Sequence, residues 1–174
     1  MGSLININGA PLEKLIDVMS KGFGVLYSPR EIRKNADAKA YEIKVLEKAK
    51  LAADLKRTDK TSELEQKISA RITHQEAKRQ QNIDNISYVA AKQLEHEETV
   101  SEEQVDEDWI SRFFNISQDV SNEEMQTLWG RILAGEVKQP NSFSLRTLEI
   151  LKNITHSEAE IFNRLAKMRL EMSN

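Results

Sequence analysis

With 174 residues, 39% of them hydrophobic and 30% charged, the chain suits one compact domain, or one small domain with an extended arm, around a modest core. It has no cysteine, which excludes disulfides, thiolate nucleophiles and cysteine metal sites, and it has no apolar run long enough for a transmembrane helix. The formal net charge of −3 hides a basic stretch 1–92 (17 Lys and Arg, 12 Asp and Glu), an acidic stretch 93–108 (eight acids, no Lys or Arg) and a balanced remainder, and so diffuse a basic excess reads as a solvated helical surface rather than a nucleic-acid footprint.

Leu4 to Gly9 alternates briefly and breaks at Gly9 and Pro11, as an extended lead-in does. Leu12, Leu15, Ile16, Met19 and Phe23 then follow at helical spacing, predicting an amphipathic helix over 12–26 that Gly22 and Gly24 loosen or end. Ser28-Pro29-Arg30-Glu31 is a capping box with proline at the first helical position. No breaker follows until Lys56, so a helix of roughly 40 Å is expected at about 1.5 Å per residue, with a weak stripe of Ile32, Ala36, Ala40, Ile43, Leu46 and Ala53.

After the polar break 57–60, a second box from Ser62 to Glu65 opens another long helix, expected to reach about Glu97. Its stripe is Leu64, Ile68, Ile72, then the polar Gln75 and Arg79, then Ile83, Ile86, Ala90 and Leu94. Two long helices joined by a short turn suggest an antiparallel hairpin, the alternative being extended helices that pair with another chain. Residues 98–103 carry no apolar stripe and read as an acidic linker.

Aromatic content rises beyond it. Asp106-Glu107-Asp108 introduces Trp109, Phe113 and Ile116. A box from Ser121 to Glu124 introduces Met125, Leu128, Trp129, Ile132 and Leu133. Pro140 and Asn141 make a turn, Leu145, Leu148, Ile150 and Leu151 mark a further helix, and Ser157 to Glu160 caps a last one holding Ile161, Phe162 and Leu165. The expected fold class is all-α: an amphipathic N-terminal segment 1–27, a long antiparallel helical hairpin or coiled-coil-like arm 28–98, and a compact helical domain 99–174.

No chemistry-bearing constellation stands out. His74, His96 and His156 are too far apart for a zinc motif, and Gly22 and Gly24 lack the Lys-Ser/Thr of a phosphate loop. The acids between Glu95 and Asp108 have no glycine for a calcium loop, while Asp106 to Asp108 suit a helix N-terminus.

Several blocks resemble a bacterial family known as domain of unknown function 2806: Gly24 to Ile32, Val105 to Phe114, Ser121 to Glu136, and Pro140 to Leu151. The resemblance spans most of the chain and implies no activity. The block Leu128, Trp129, Leu133, Ala134 is also similar to alpha-type abortive-infection proteins, which implies a link to phage defence. Relatives are expected to continue past the last helix, whereas this sequence stops at Asn174.

The resulting expectation is a non-catalytic interaction or scaffold protein in the cytoplasm, not an enzyme and without a cofactor. It would bind a protein partner or itself, with no nucleic acid and no small-molecule substrate. The alternative is a membrane-directed effector of an abortive-infection system, at the periphery of the inner membrane, acting through helix 12–26. The candidate partner or membrane surface is Leu12, Leu15, Ile16, Met19 and Phe23, although Glu13 and Asp17 balance the Lys14 and Lys21 that a membrane-surface helix would use.

Overall fold

A computed structural model describes residues 9–24, 63–155 and 157–158, and these are helical with no strand among them. Helix α1 spans Ala10–Phe23, α2 Glu63–Leu94, α3 Glu107–Ser117, α4 Glu123–Lys138 and α5 Leu145–Asn153. The expected lead-in, the hairpin's first helix at 29–56, and most of the last helix lie outside the described residues.

Local chemistry sets the ends of these helices. Pro11 stands in the first turn of α1, and Gly24 in the left-handed conformation (φ 64°) closes it two residues before the expected end. Asp106, Asn122 and Ser144 cap α3, α4 and α5 by accepting from the backbone N–H three residues on, at Trp109, Met125 and Thr147. The α4 cap is thus Asn122, not Ser121. The last box is also shifted. The Thr155 hydroxyl and backbone N–H both donate to Glu158 Oε2 at 2.7 Å, and Thr155 Oγ1 accepts from the Glu158 N–H, so the cap lies two residues earlier than the expected Ser157 and a helix is under way at 157–158.

At its 32 residues, α2 is about 48 Å long. Only its second half is in the core, where Ile83, Ile86, Ala90, Ala91 and Leu94 are buried. There it runs parallel to α4. Gln126 donates to Asn82 (3.0 Å) near the start of that contact, and Lys138 pairs with Glu97 (2.6 Å) near its end. Between these points Gly130 lies against α2, and a Cβ there would stand 2.5 Å from Val89 Cβ and 2.9 Å from the Ile86 carbonyl oxygen. We expect Gly130→Ala to lower the unfolding free energy by about 1–2 kcal/mol, overpacking outweighing the better helix propensity of alanine. Urea melts of the variant check this, and adding Val89→Ala should restore only part of the loss, because the Ile86 carbonyl remains.

Helices α1 and α3 close the rest of the core. Trp109 stacks on Phe113, whose edge meets Trp129 (centroids 5.3 Å) and Phe114 (5.1 Å), and Phe114 meets Phe23 of α1 (4.6 Å). One continuous cluster joins Leu12 to Met19, Ile83 to Leu94 and Val105 to Leu148. It crosses position 98/99, where the sequence suggested a boundary between arm and compact domain. The acidic stretch there is tied down rather than free. Lys14 donates to the Ser101 carbonyl (2.7 Å), the Ser101 N–H donates to the Lys138 carbonyl (3.0 Å), and Val105 is buried.

Asp106, before α3, lies close enough to Glu136 to act on it electrostatically, and Glu136 also holds the turn leading into α5. Midway, Arg112 of α3 pairs with Glu149 of α5 (3.6 Å). The two helices therefore run the same way. Asn153 finishes toward the end of the core where α3 finishes.

Candidate interaction surface

Two features stand apart from the ordinary core and helical surface. The first is a polar cluster around Glu136, buried at 1% exposure near the end of α4. Its oxygens accept the backbone N–H groups of Asn141 (2.7 Å) and Phe143 (2.9 Å). Burial pushes its carboxyl above the usual range, and Asp106 adds to this, while the main-chain donors oppose it. Nearby, burial lowers the Lys14 ammonium while Glu103 and Glu136 work against the change. Both carboxylate oxygens are engaged in holding the 139–144 turn, in which Asn141 takes a left-handed conformation (φ 67°). The cluster reads as a clamp. Among the described residues, no group of His, Asp and Glu is arranged to hold a metal ion.

The second feature is the first half of α2. Residues 63–72 are all exposed, nearly three turns that nothing among the described residues covers. Leu64 is 66% exposed, Ile68 41% and Ile72 51%, and their four-residue spacing places them in one row. At 100° per residue, Lys67, Arg71 and Lys78 fall on one flank of this row, and Glu65 and Glu76 on the other. The row continues the face by which α2 enters the core. Arg79, one step on, binds Asp119 and Glu76, and Asn82, the next, donates to the Gln118 carbonyl (2.8 Å). An apolar seam about 12 Å long thus rises from the core directly above the loop between α3 and α4.

The residues proposed from the sequence as a partner or membrane surface lie elsewhere. Leu12, Leu15 and Met19 are buried in the core, and Ile16 and Phe23 pack against it. The amphipathic face of α1 is turned inward onto α3 and α4. Its spacing was read correctly, but spacing cannot say which apolar partner a stripe meets. Leu64, Ile68 and Ile72 begin the stripe expected on the hairpin's second helix, and the helix expected to pack against it, 29–56, lies outside the described residues. The polar pair Gln75 and Arg79, which in the sequence argues against a long dry seam, stands at the point where α2 leaves the core.

None of the described helices is long and apolar enough to cross a membrane. A family model described as a protein of unknown function (DUF2806) matches residues 66–174. No curated protein and no solved structure matches the chain.

Proposed function

The chain belongs to the DUF2806 family, and from that premise we propose that it is a non-catalytic interaction module that recognises a helical protein partner through the Leu64–Ile68–Ile72 seam. One observation carries this reading: three large aliphatic side chains in register on one helix, each 41–66% exposed. A partner that buried them would gain roughly 25 cal/mol for each Å² of apolar surface removed from water. Anchors four residues apart with charged flanks are what an amphipathic helix requires of the surface it docks on. The buried carboxylate that an acid–base enzyme would use, Glu136, is occupied by main-chain donors, which also supports a binding role.

The alternative of a membrane effector acting through α1 loses its surface, because Leu12, Leu15 and Met19 would have to leave the core to reach a bilayer.

The test is a photo-crosslinking residue placed at Gln75, on the seam, in the native host. We expect a discrete protein adduct that disappears with Leu64→Ser/Ile68→Ser, while the thermal melt stays unchanged, since neither side chain packs in the core. An adduct indifferent to these substitutions, or no adduct, refutes the reading. Comparing adducts with and without phage infection tests the defence link that the resemblance implies.

A further inference from the structure

We propose that the partner helix recognised by the Leu64–Ile68–Ile72 seam is acidic along one edge, with carboxylates about seven residues apart that meet Arg71 and Lys78. The inference rests on the seam being a binding surface and names the chemistry of what binds there.

The two flanks of the seam differ in how far their charges are already matched. On the acidic side Glu76 pairs with Arg79 (3.0 Å), and Arg79 pairs in turn with Asp119 (2.9 Å). The guanidinium that closes the lower end of the row therefore has two carboxylates of its own. On the basic side Lys67 pairs with Glu63 (2.6 Å), one turn before it. Arg71 and Lys78 are exposed, and among the described residues neither meets a carboxylate.

Arg71 and Lys78 stand two turns apart, about 10.5 Å along α2. A helix lying along the seam advances at the same rate, so acids at seven-residue spacing beside its apolar row reach both cations. Burying the two apolar rows removes water from that edge and strengthens the pairs. Lys or Arg on the same edge would set like charges together.

Charge also separates this occupant from two others. An antiparallel second copy brings Lys67 and Arg71 against the same pair. A parallel copy drives the two cores together, because each core begins on this row at Asn82. An anionic bilayer would have to accept Glu65 and Glu76, which edge the row on its other side.

Two synthetic peptides of about 21 residues, roughly six turns, serve as probes. Both carry a leucine row at three- and four-residue spacing with Gln along one edge. The other edge is Glu in the first peptide and Lys in the second. By fluorescence anisotropy with the full chain, the Glu-edged peptide should bind several-fold more tightly. Arg71→Glu/Lys78→Glu should weaken it about ten-fold and favour the Lys-edged peptide, with the thermal melt unchanged because both side chains are exposed. Equal binding, no binding by either peptide, or an order that charge reversal leaves unmoved overturns the inference. So does capture of the chain by phosphatidylserine vesicles that Arg71→Glu/Lys78→Glu abolishes, since the two cations would then face lipid. The photo-crosslinker at Gln75 separates this inference from the reading beneath it. An adduct that survives Arg71→Glu/Lys78→Glu means that a partner binds the seam without acids, and only the present inference falls. No adduct in the native chain removes the binding reading itself.

Discussion

Trp129→Ala should lower the unfolding free energy by about 3–5 kcal/mol, the cost of a large buried aromatic together with the cavity it leaves. Trp129 has no exposed surface, lies edge-on to Phe113, and sits on α4 one residue before the glycine that meets α2. The loss should therefore appear as one cooperative shift of the whole melt rather than as unfolding of a C-terminal piece, because Trp129 joins helices from both sides of position 98/99. Its indole N–H has no hydrogen-bond partner, so Trp129→Phe removes an unsatisfied donor along with some area and should cost less than half as much. Urea denaturation followed by circular dichroism measures both. A melt unmoved by the alanine would mean that Trp129 is not part of the core.

Glu136→Ala should cost about 2–3 kcal/mol, chiefly by leaving the N–H groups of Asn141 and Phe143 without their acceptor. The Asn141 N–H can turn to water, which keeps the figure below that for Trp129. Glu136→Gln should fall between wild type and alanine, since one amide oxygen still accepts while the amide N–H₂ faces a main-chain donor.

The pH dependence has a definite sign. The folded carboxyl lies above its usual pKa, mainly through burial, so the folded state holds this proton more tightly than the unfolded chain does. The contribution of Glu136 is then full below the ordinary carboxylate range and is lost as pH rises through the raised folded value. The stability gap between wild type and Glu136→Gln should narrow over that interval, as melts taken at successive pH values will show. A gap that widens with pH would mean that the main-chain donors outweigh burial.

Much of this architecture was legible without coordinates. Helices at 10–23, 63–94, 107–117, 123–138 and 145–153 fall where three- and four-residue apolar spacing predicted them, with ends displaced by a few residues. The displacements have a common origin. At 121–122 and at 155–157, more than one residue is chemically able to cap, and the sequence does not say which adopts the extended backbone that an N-cap needs. The family was also legible, through the resemblance carried by blocks such as Trp129 to Glu136, in which the structure finds a core tryptophan, a glycine at the α2 crossing and a carboxylate for the following turn.

The seam and the core boundary were less so. Leu64, Ile68 and Ile72 share one helix and the same kind of spacing with Ile83, Ile86 and Ala90, yet the first set is open to water and the second is buried. Helical periodicity is a property of a few consecutive residues, so the sequence by itself determined the helices, their caps and their apolar faces. Burial is a property of what arrives from elsewhere in the chain. Gly130, forty-odd positions away, brings α4 onto α2 at Ile86 and Val89, and α1 brings Leu15 and Met19 into the core that the acidic linker 98–103 was expected to bound. Only the tertiary structure decided which faces became core, because that choice depends on close approaches between distant residues, and local spacing does not encode them.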